Sequence, residues 1–154
     1  MAFTVVRRTP LVPEVAWSAV ADLAEQTRDV PLTTMEVPPG DLVLGAEVVA
    51  WTRVGPLGFA DRMLVTGLER GRRLRFVKTG RVLRGWADIT VDADPEAPGG
   101  ARVTWTEELW LRGLRRLTRP AGDRLGPRLF GRILDTVLDR AAADAVRPVR
   151  GTAR

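Results

Sequence analysis

The chain has 154 residues, 45% of them hydrophobic, and a net charge of +5 at neutral pH. This length suits one ordinary domain that buries about 68–70% of its unfolded surface. Cysteine, histidine and tyrosine are absent, which excludes a disulfide framework, a thiolate or histidine metal site, and a serine or cysteine triad. Any acid–base chemistry would fall to carboxylates, to the single lysine Lys78, to arginine-polarised water or to a ligand. We therefore expect neither a metal nor a cofactor.

The N-terminal segment predicts a strand followed by a helix. Apolar residues and a paired arginine predict a strand over residues 3–12, which prolines end. Pro13 then opens a helix with Glu14 in its first turn, where the helix dipole favours a carboxylate. Residues 24–31 predict a second short helix.

The same segment bears on localisation. Charged residues and Pro10 occupy the positions where a signal peptide needs an apolar run. No stretch approaches the roughly 20 apolar residues that span a bilayer. We expect a cytoplasmic protein without a transmembrane segment.

The middle of the chain changes to short β-rich runs separated by turn signals, which predicts an antiparallel meander. Gly and Pro clusters mark the turns. The predicted strands are 33–37, 46–54, 59–68, 73–78, 83–91 and 101–111.

The C-terminal segment predicts one long helix. An arginine-rich connection that holds Pro120 and Pro127 precedes it, and apolar residues at helical spacing predict the helix over residues 128–146. We expect residues 1–147 to form a single domain and residues 148–154 to be a disordered tail.

This order of elements predicts an α+β helix-grip fold, in which a curved antiparallel sheet of about seven strands surrounds the long C-terminal helix. Alternation along each strand predicts which side chains face that helix. Small and charged residues among them indicate a cavity in place of a filled core. The predicted inward set is Val49, Trp51 and Arg53; Asp61, Met63 and Val65; Leu74, Phe76 and Lys78; Gly85, Ala87, Ile89 and Val91; and Val103, Trp105, Glu107, Leu109 and Leu111.

Five segments of the chain form a familiar succession. They are Pro13-Glu14-Val15-Ala16-Trp17, Gly58-Phe59-Ala60-Asp61-Arg62-Met63, Arg73-Leu74-Arg75-Phe76, Arg84-Gly85 and Val103-Thr104-Trp105-Thr106-Glu107-Glu108-Leu109. Through them the chain resembles, over residues 3–146, the polyketide cyclase/dehydratase and lipid-transport proteins of the SRPBCC, or START-like, superfamily. The resemblance implies a helix-grip fold, and it leaves function open because the superfamily includes lipid carriers, hormone receptors and aromatase/cyclases.

Asp61 and Glu107 are the candidate catalytic residues, because inward carboxylates in an apolar cavity can have raised pKa values. The favoured interpretation is a structural network in which Arg53, Lys78 or Arg84 pairs with them. The candidate ligand-binding residues are equally open to interpretation as plain core. They are Trp51, Met63, Phe76, Ala87, Ile89, Trp105, Phe130 and Leu134.

Seven arginines crowd residues 112–132 with only Asp123 in opposition. A nucleic-acid or anionic-membrane surface is conceivable there, but no aromatic residues interleave with the arginines. A solvated basic face, enlarged by codon bias, is the favoured interpretation, and we expect no nucleic-acid partner.

Three functional hypotheses follow. The leading one is a monomer or homodimer that binds a small hydrophobic molecule, such as a lipid, a polyketide or another ring-bearing metabolite, between the sheet and the C-terminal helix. The second is a cyclase/dehydratase-like enzyme that uses Glu107 and Asp61. The third is an interaction protein that docks through its arginine-rich stretch.

Overall fold

A computed structural model describes residues 2–25, 30 and 32–146. The predicted disordered tail lies outside these ranges, and the predicted second helix over 24–31 falls largely outside them. The described elements are β1 (Phe3–Thr9), α1 (Pro13–Ala21), β2 (Thr33–Glu36), β3 (Glu47–Val54), β4 (Leu57–Glu69), β5 (Arg73–Lys78), β6 (Leu83–Ala93), β7 (Ala101–Leu111) and α2 (Arg115–Val146).

The seven strands form one antiparallel sheet in the order β1-β7-β6-β5-β4-β3-β2. Helix α2 packs over β7 and β1 at one side of this sheet, and α1 packs against α2. Leu134 and Val137 of α2 are buried together with Ile89 and Val103 of the sheet. The predicted grip of a curved sheet on the C-terminal helix is confirmed.

Helix α2 is longer than the sequence predicted. It begins at Arg115 instead of residue 128, so the predicted connection around Pro120 and Pro127 is wrong. A proline inside a helix lacks the N–H that bonds the carbonyl four residues earlier. Those carbonyls belong to Arg116, which is exposed, and to Asp123, which is partly exposed. Water can satisfy them, so the helix continues through both prolines.

The β3–β4 connection is tighter than predicted. Val54 pairs with Leu57, so Gly55 and Pro56 alone form the turn, and β4 begins two residues before the predicted Phe59. Gly55 has φ +59, which suits the first central position of a two-residue hairpin of type II′.

Candidate ligand site

The concave face of the sheet carries a buried cluster of three charged side chains. Lys78 Nζ lies 2.6 Å from Asp61 Oδ2 and 3.3 Å from Glu107 Oε1. Trp105 Nε1 donates a 2.9 Å hydrogen bond to Glu107 Oε2. The predicted pairing of the two carboxylates with Lys78 is therefore present, and Lys78 joins them into one cluster.

Strand pairing explains how the three charges meet. Asp61 lies on β4, Lys78 on the neighbouring β5 and Glu107 on β7, so β6 separates the lysine from Glu107. Two strand spacings span nearly 10 Å. The β6 residues under this gap are Gly85, opposite Lys78, and Ala87, opposite Glu107. Because both are small, the Lys78 and Glu107 side chains can approach each other above β6.

The electrostatics of the cluster follow from its burial. Two carboxylates face one ammonium group, so the fully ionised cluster carries one excess negative charge. Burial raises the pKa of Glu107, and the nearby Lys78 charge and the Trp105 hydrogen bond only partly oppose it. Burial opposes the charge on Lys78, but the attraction of Glu107 and Asp61 outweighs it and raises the pKa of Lys78. The cluster therefore holds the proton of Glu107 more tightly than a solvated carboxyl group would, and it stabilises the charged form of Lys78.

Two buried oxygens of the cluster lack a hydrogen-bond partner, Asp61 Oδ1 and Glu107 Oε1, although Glu107 Oε1 lies 3.3 Å from Lys78 Nζ. Asp61 is 6% exposed, and its Oδ1 accepts no hydrogen bond from any described residue, although Oδ2 accepts one from Lys78. A buried polar atom in this state costs about 1–3 kcal/mol, and more when it is charged. Asp61 Oδ1 can therefore accept a hydrogen bond from a donor that enters the concave face.

The concave face has two ends that differ in burial. The closed end consists of Val65, Leu74, Ile89, Val91 and Val103, which are 0–2% exposed. The open end lies toward the β3–β4 hairpin, where the apolar concave residues are only partly buried. Its residues are Phe59, Met63, Leu83 and Leu109, with Asp61 and Lys78 beside them.

Trp51 does not belong to this face. Ala50 pairs with Asp61 and Val48 with Met63, so these residues share the concave face, whereas Trp51 pairs with Ala60 on the opposite face. The predicted inward set of Val49, Trp51 and Arg53 is therefore wrong, and Trp51 cannot line the interior. Valines at both 48 and 49 left the phase of alternation ambiguous in the sequence.

Gly85 has a second role besides leaving room above β6. It has φ +142, and a Cβ atom there would lie 1.8 Å from the carbonyl oxygen of Glu108. The close approach of β6 to β7 thus requires glycine, whether or not a ligand occupies the interior.

The other seven predicted ligand-binding residues all lie in the interior. The Phe130 ring from α2 lies 5.1 Å from the Trp105 ring, centroid to centroid, and 5.6 Å from the Phe3 ring. Such distances are typical of packed aromatic pairs, so these rings are core contacts in this structure. Phe76, Ala87, Ile89, Trp105 and Leu134 are buried in one cluster, and Met63 and Phe130 pack against it.

Sequence reasoning missed the open end of the face as a separate region. The predicted inward set does not include Phe59, although Phe59 lies two residues before Asp61 on the same strand. Alternation could have placed it on the inward face. Arg84, which the sequence predicts as a potential partner of Asp61 and Glu107, lies opposite Trp110 in the strand register and therefore on the face away from the cluster.

No group of acidic, histidine or cysteine side chains within residues 2–25, 30 and 32–146 is arranged to hold a metal ion. Over the same part of the chain, no helix has the length and hydropathy needed to cross a membrane.

Comparison with known proteins identifies the fold. No protein-family model and no curated protein matches the sequence. Among solved structures, TTHA0849 from Thermus thermophilus is 17% identical with a TM-score of 0.73, and the match covers 94% of this chain and 99% of that one. A START superfamily protein from Mycobacterium smegmatis is 9% identical with a TM-score of 0.71, covering 92% of this chain and 97% of that one.

The Zhui aromatase/cyclase from Streptomyces sp. R1128 is 16% identical with a TM-score of 0.69, and the match covers 99% of both chains. The chain thus has a START-like helix-grip fold, as its sequence resemblance predicted. At these identities the similarity establishes the fold, and function has to be argued from the site.

Proposed function

We propose that this protein binds a small, mostly apolar molecule that carries one polar group, and that the ligand enters at the open end of the concave face. The polar group would hydrogen-bond to Asp61 Oδ1, and the apolar body would contact Met63 and Leu109. The observation that carries the proposal is a buried charged cluster with an unpaired carboxylate oxygen in an otherwise apolar face.

The exposed fractions of the three charged side chains support this orientation of the ligand. The Lys78 and Asp61 side chains are 7% and 9% exposed, whereas the Glu107 side chain is 1% exposed. A ligand that enters at the open end would therefore meet Asp61 and Lys78 before Glu107. Half-buried apolar residues around these charges supply the surface that an apolar ligand would cover.

The similar proteins support the same class of function. They include a START superfamily protein and an aromatase/cyclase. Both share the helix-grip architecture, in which a sheet and a long helix can enclose a ligand.

Matched pairs of ligands test the proposal directly. Binding of 2-naphthol and naphthalene, and of a long-chain alcohol and its alkane, can be measured by calorimetry and native mass spectrometry. A hydrogen bond to a charged acceptor contributes about 1.5–3 kcal/mol, so the hydroxylated member should bind roughly tenfold more tightly or better.

Asp61→Asn removes the charge and should reduce that preference. Asp88→Asn is the matched control, because Asp88 lies on the opposite face and pairs with Arg73 at 2.6 Å. Equal affinity for both members of each pair, or equal effects of the two substitutions, would count against the proposal.

A second candidate function is dehydration or cyclisation of such a ligand. It is supported by the raised pKa of Glu107 in its buried position, since a carboxyl group with a raised pKa keeps its proton to higher pH and can donate it. Glu107 would protonate the hydroxyl group that leaves as water, and the Asp61 carboxylate would accept the proton from the adjacent carbon. Incubation with a β-hydroxy ketone should then yield the enone, and turnover that survives Glu107→Gln with Asp61→Asn would exclude this mechanism.

A further inference from the structure

The N-terminal half of α2 exposes a row of leucines. The exposed fractions of Leu117, Leu125 and Leu129 are 76%, 61% and 50%, and Leu114, directly before the helix, is 48% exposed. Single exposed apolar residues are common, but a contiguous set marks an interaction surface.

Helical geometry places these leucines on one face. Leu117, Leu125 and Leu129 are separated by eight and four residues, which at 3.6 residues per turn places them within a sector of about 120°. The buried large apolar residues of α2, in contrast, are Ile133, Leu134, Val137 and Leu138, in its C-terminal half. The C-terminal half thus packs its large apolar side chains inward, whereas the N-terminal half contacts the sheet closely through Gly122 and Gly126 and presents its leucines to solvent.

Arginines flank the leucine row, and they divide into two groups. Arg115 and Arg119 contact Glu108 at 3.4 and 2.8 Å, and Arg115 also stacks over Trp110 at 4.6 Å. A second group is exposed and makes no ion pair with any described residue. It consists of Arg116, Arg124, Arg128 and Arg132.

We propose that this leucine–arginine face of α2, formed by Leu114, Leu117, Leu125 and Leu129 with Arg124, Arg128 and Arg132, docks on an anionic lipid membrane. A helix that lies in the membrane interface buries an apolar row and places basic side chains at the level of the headgroups. Each arginine near an anionic leaflet adds attraction. Charge and hydrophobicity on the same face therefore point to one partner.

Two other partners fit the surface less well. Nucleic acid would use the arginines but has no need of exposed leucines, since stacking on aromatic side chains is its usual apolar contact. A second copy of the chain would place unpaired arginines against one another, and like charges brought together are unfavourable.

The position of this face relates it to the open end of the concave face. A Cβ atom at Gly122 of α2 would lie 2.9 Å from the carbonyl oxygen of Leu109, so this half of the helix borders the open end. Docking would place that end near the lipid. The docking proposal stands without the proposed ligand, because it rests on α2 alone.

Vesicle flotation tests the proposal on the full chain. The unmodified protein should bind vesicles of phosphatidylcholine and phosphatidylglycerol in equal parts, and bind pure phosphatidylcholine vesicles much more weakly. Arg124→Gln with Arg128→Gln should weaken partitioning about 30-fold, which corresponds to about 2 kcal/mol for two charges. Added salt should weaken binding of the unmodified protein, because it screens the arginines. Leu117→Ser with Leu125→Ser should bind more weakly than the unmodified protein at both low and high salt, because it removes apolar contacts that salt does not screen.

Matched controls carry the same chemical changes elsewhere. Arg53→Gln with Arg75→Gln and Val43→Ser with Leu44→Ser alter exposed residues outside α2, and they should bind like the unmodified protein. All the substituted side chains are exposed, and circular dichroism checks that each variant folds.

Three outcomes would overturn the proposal. One is equal binding to neutral and anionic vesicles. Another is a leucine variant that binds as well as its control. The third is absence of vesicle binding, together with either tight binding to duplex DNA or a dimer in solution that the leucine substitutions dissociate.

Discussion

The closed and open ends of the concave face maintain the same sheet by different physical means. At the closed end, Leu74, Ile89 and Val103 are almost completely buried, and Leu134 of α2 belongs to the same core. At the open end, partly exposed apolar residues surround three charges whose attraction opposes the cost of burying them. Apolar packing at the closed end is complete within the chain. The unpaired carboxylate oxygen at the open end can still accept a hydrogen bond from a bound molecule. The closed end therefore depends on apolar packing, whereas the open end, where we propose that a ligand binds, depends on charge pairing.

Removal of Lys78 should have the largest effect. Lys78→Met leaves Asp61 and Glu107 buried without their countercharge, which should lower the free energy of unfolding by about 3–5 kcal/mol. Urea denaturation at pH 7 measures this. Adding Asp61→Asn and Glu107→Gln to Lys78→Met should restore part of the loss, because no uncompensated charge then remains. If Lys78→Met alone is as stable as the unmodified protein, the attraction between Lys78 and the two carboxylates contributes little to stability.

Truncation at each end compares their packing. Leu134→Ala at the closed end should cost about 3 kcal/mol, within the range for buried leucines that leave a cavity. Met63→Ala at the open end should cost about 1 kcal/mol or less, because Met63 is partly exposed. Thermal and urea unfolding of the two variants can be compared directly. Similar losses at both positions would mean that the open end is packed as tightly as the closed one.

The dependence of stability on alkaline pH isolates Lys78. The chain has no histidine, cysteine or tyrosine, and Lys78 is its only lysine, so no other side chain titrates between about pH 9 and 12. The folded-state pKa of Lys78 is raised. Its stabilisation should therefore be complete below the unfolded-state pKa of about 10.4 and be lost as pH rises through the folded-state value.

Urea denaturation between pH 9 and 12 measures that loss. Lys78→Met should show a flat profile over the same range. A profile that is flat for the unmodified protein as well would contradict the raised pKa.

An exposed ion pair should give the smallest effect. Arg7 of β1 bonds Asp135 of α2, with Nε–Oδ1 and Nη2–Oδ2 distances of 2.5 and 3.1 Å. Both side chains are more than a third exposed, so Arg7→Gln should cost about 0.5 kcal/mol or less. A cost that approaches the Lys78→Met value would mean that exposure does not weaken this bond.

Local sequence signals were sufficient for much of the fold and part of the site. Alternation placed Asp61, Lys78 and Glu107 on the inward face, because each of their strands has a clear apolar phase. It failed for Trp51, since β3 has apolar residues at both phases. The prolines at 120 and 127 predicted a connection before a helix that begins at residue 128, and the exposed position of Arg116 is consistent with a helix that tolerates the first of them.

The amino-acid sequence by itself determined the order of the elements, the absence of thiol and imidazole chemistry, and which strands carry inward charges, because these depend on composition and on periodicity within one segment. Only the tertiary structure decided which face Trp51 occupies, why Gly85 must be glycine, how Lys78 joins two carboxylates, and which half of α2 leaves its leucines exposed. Those features depend on register and packing between segments that are distant along the chain, and a local pattern contains no information about such contacts.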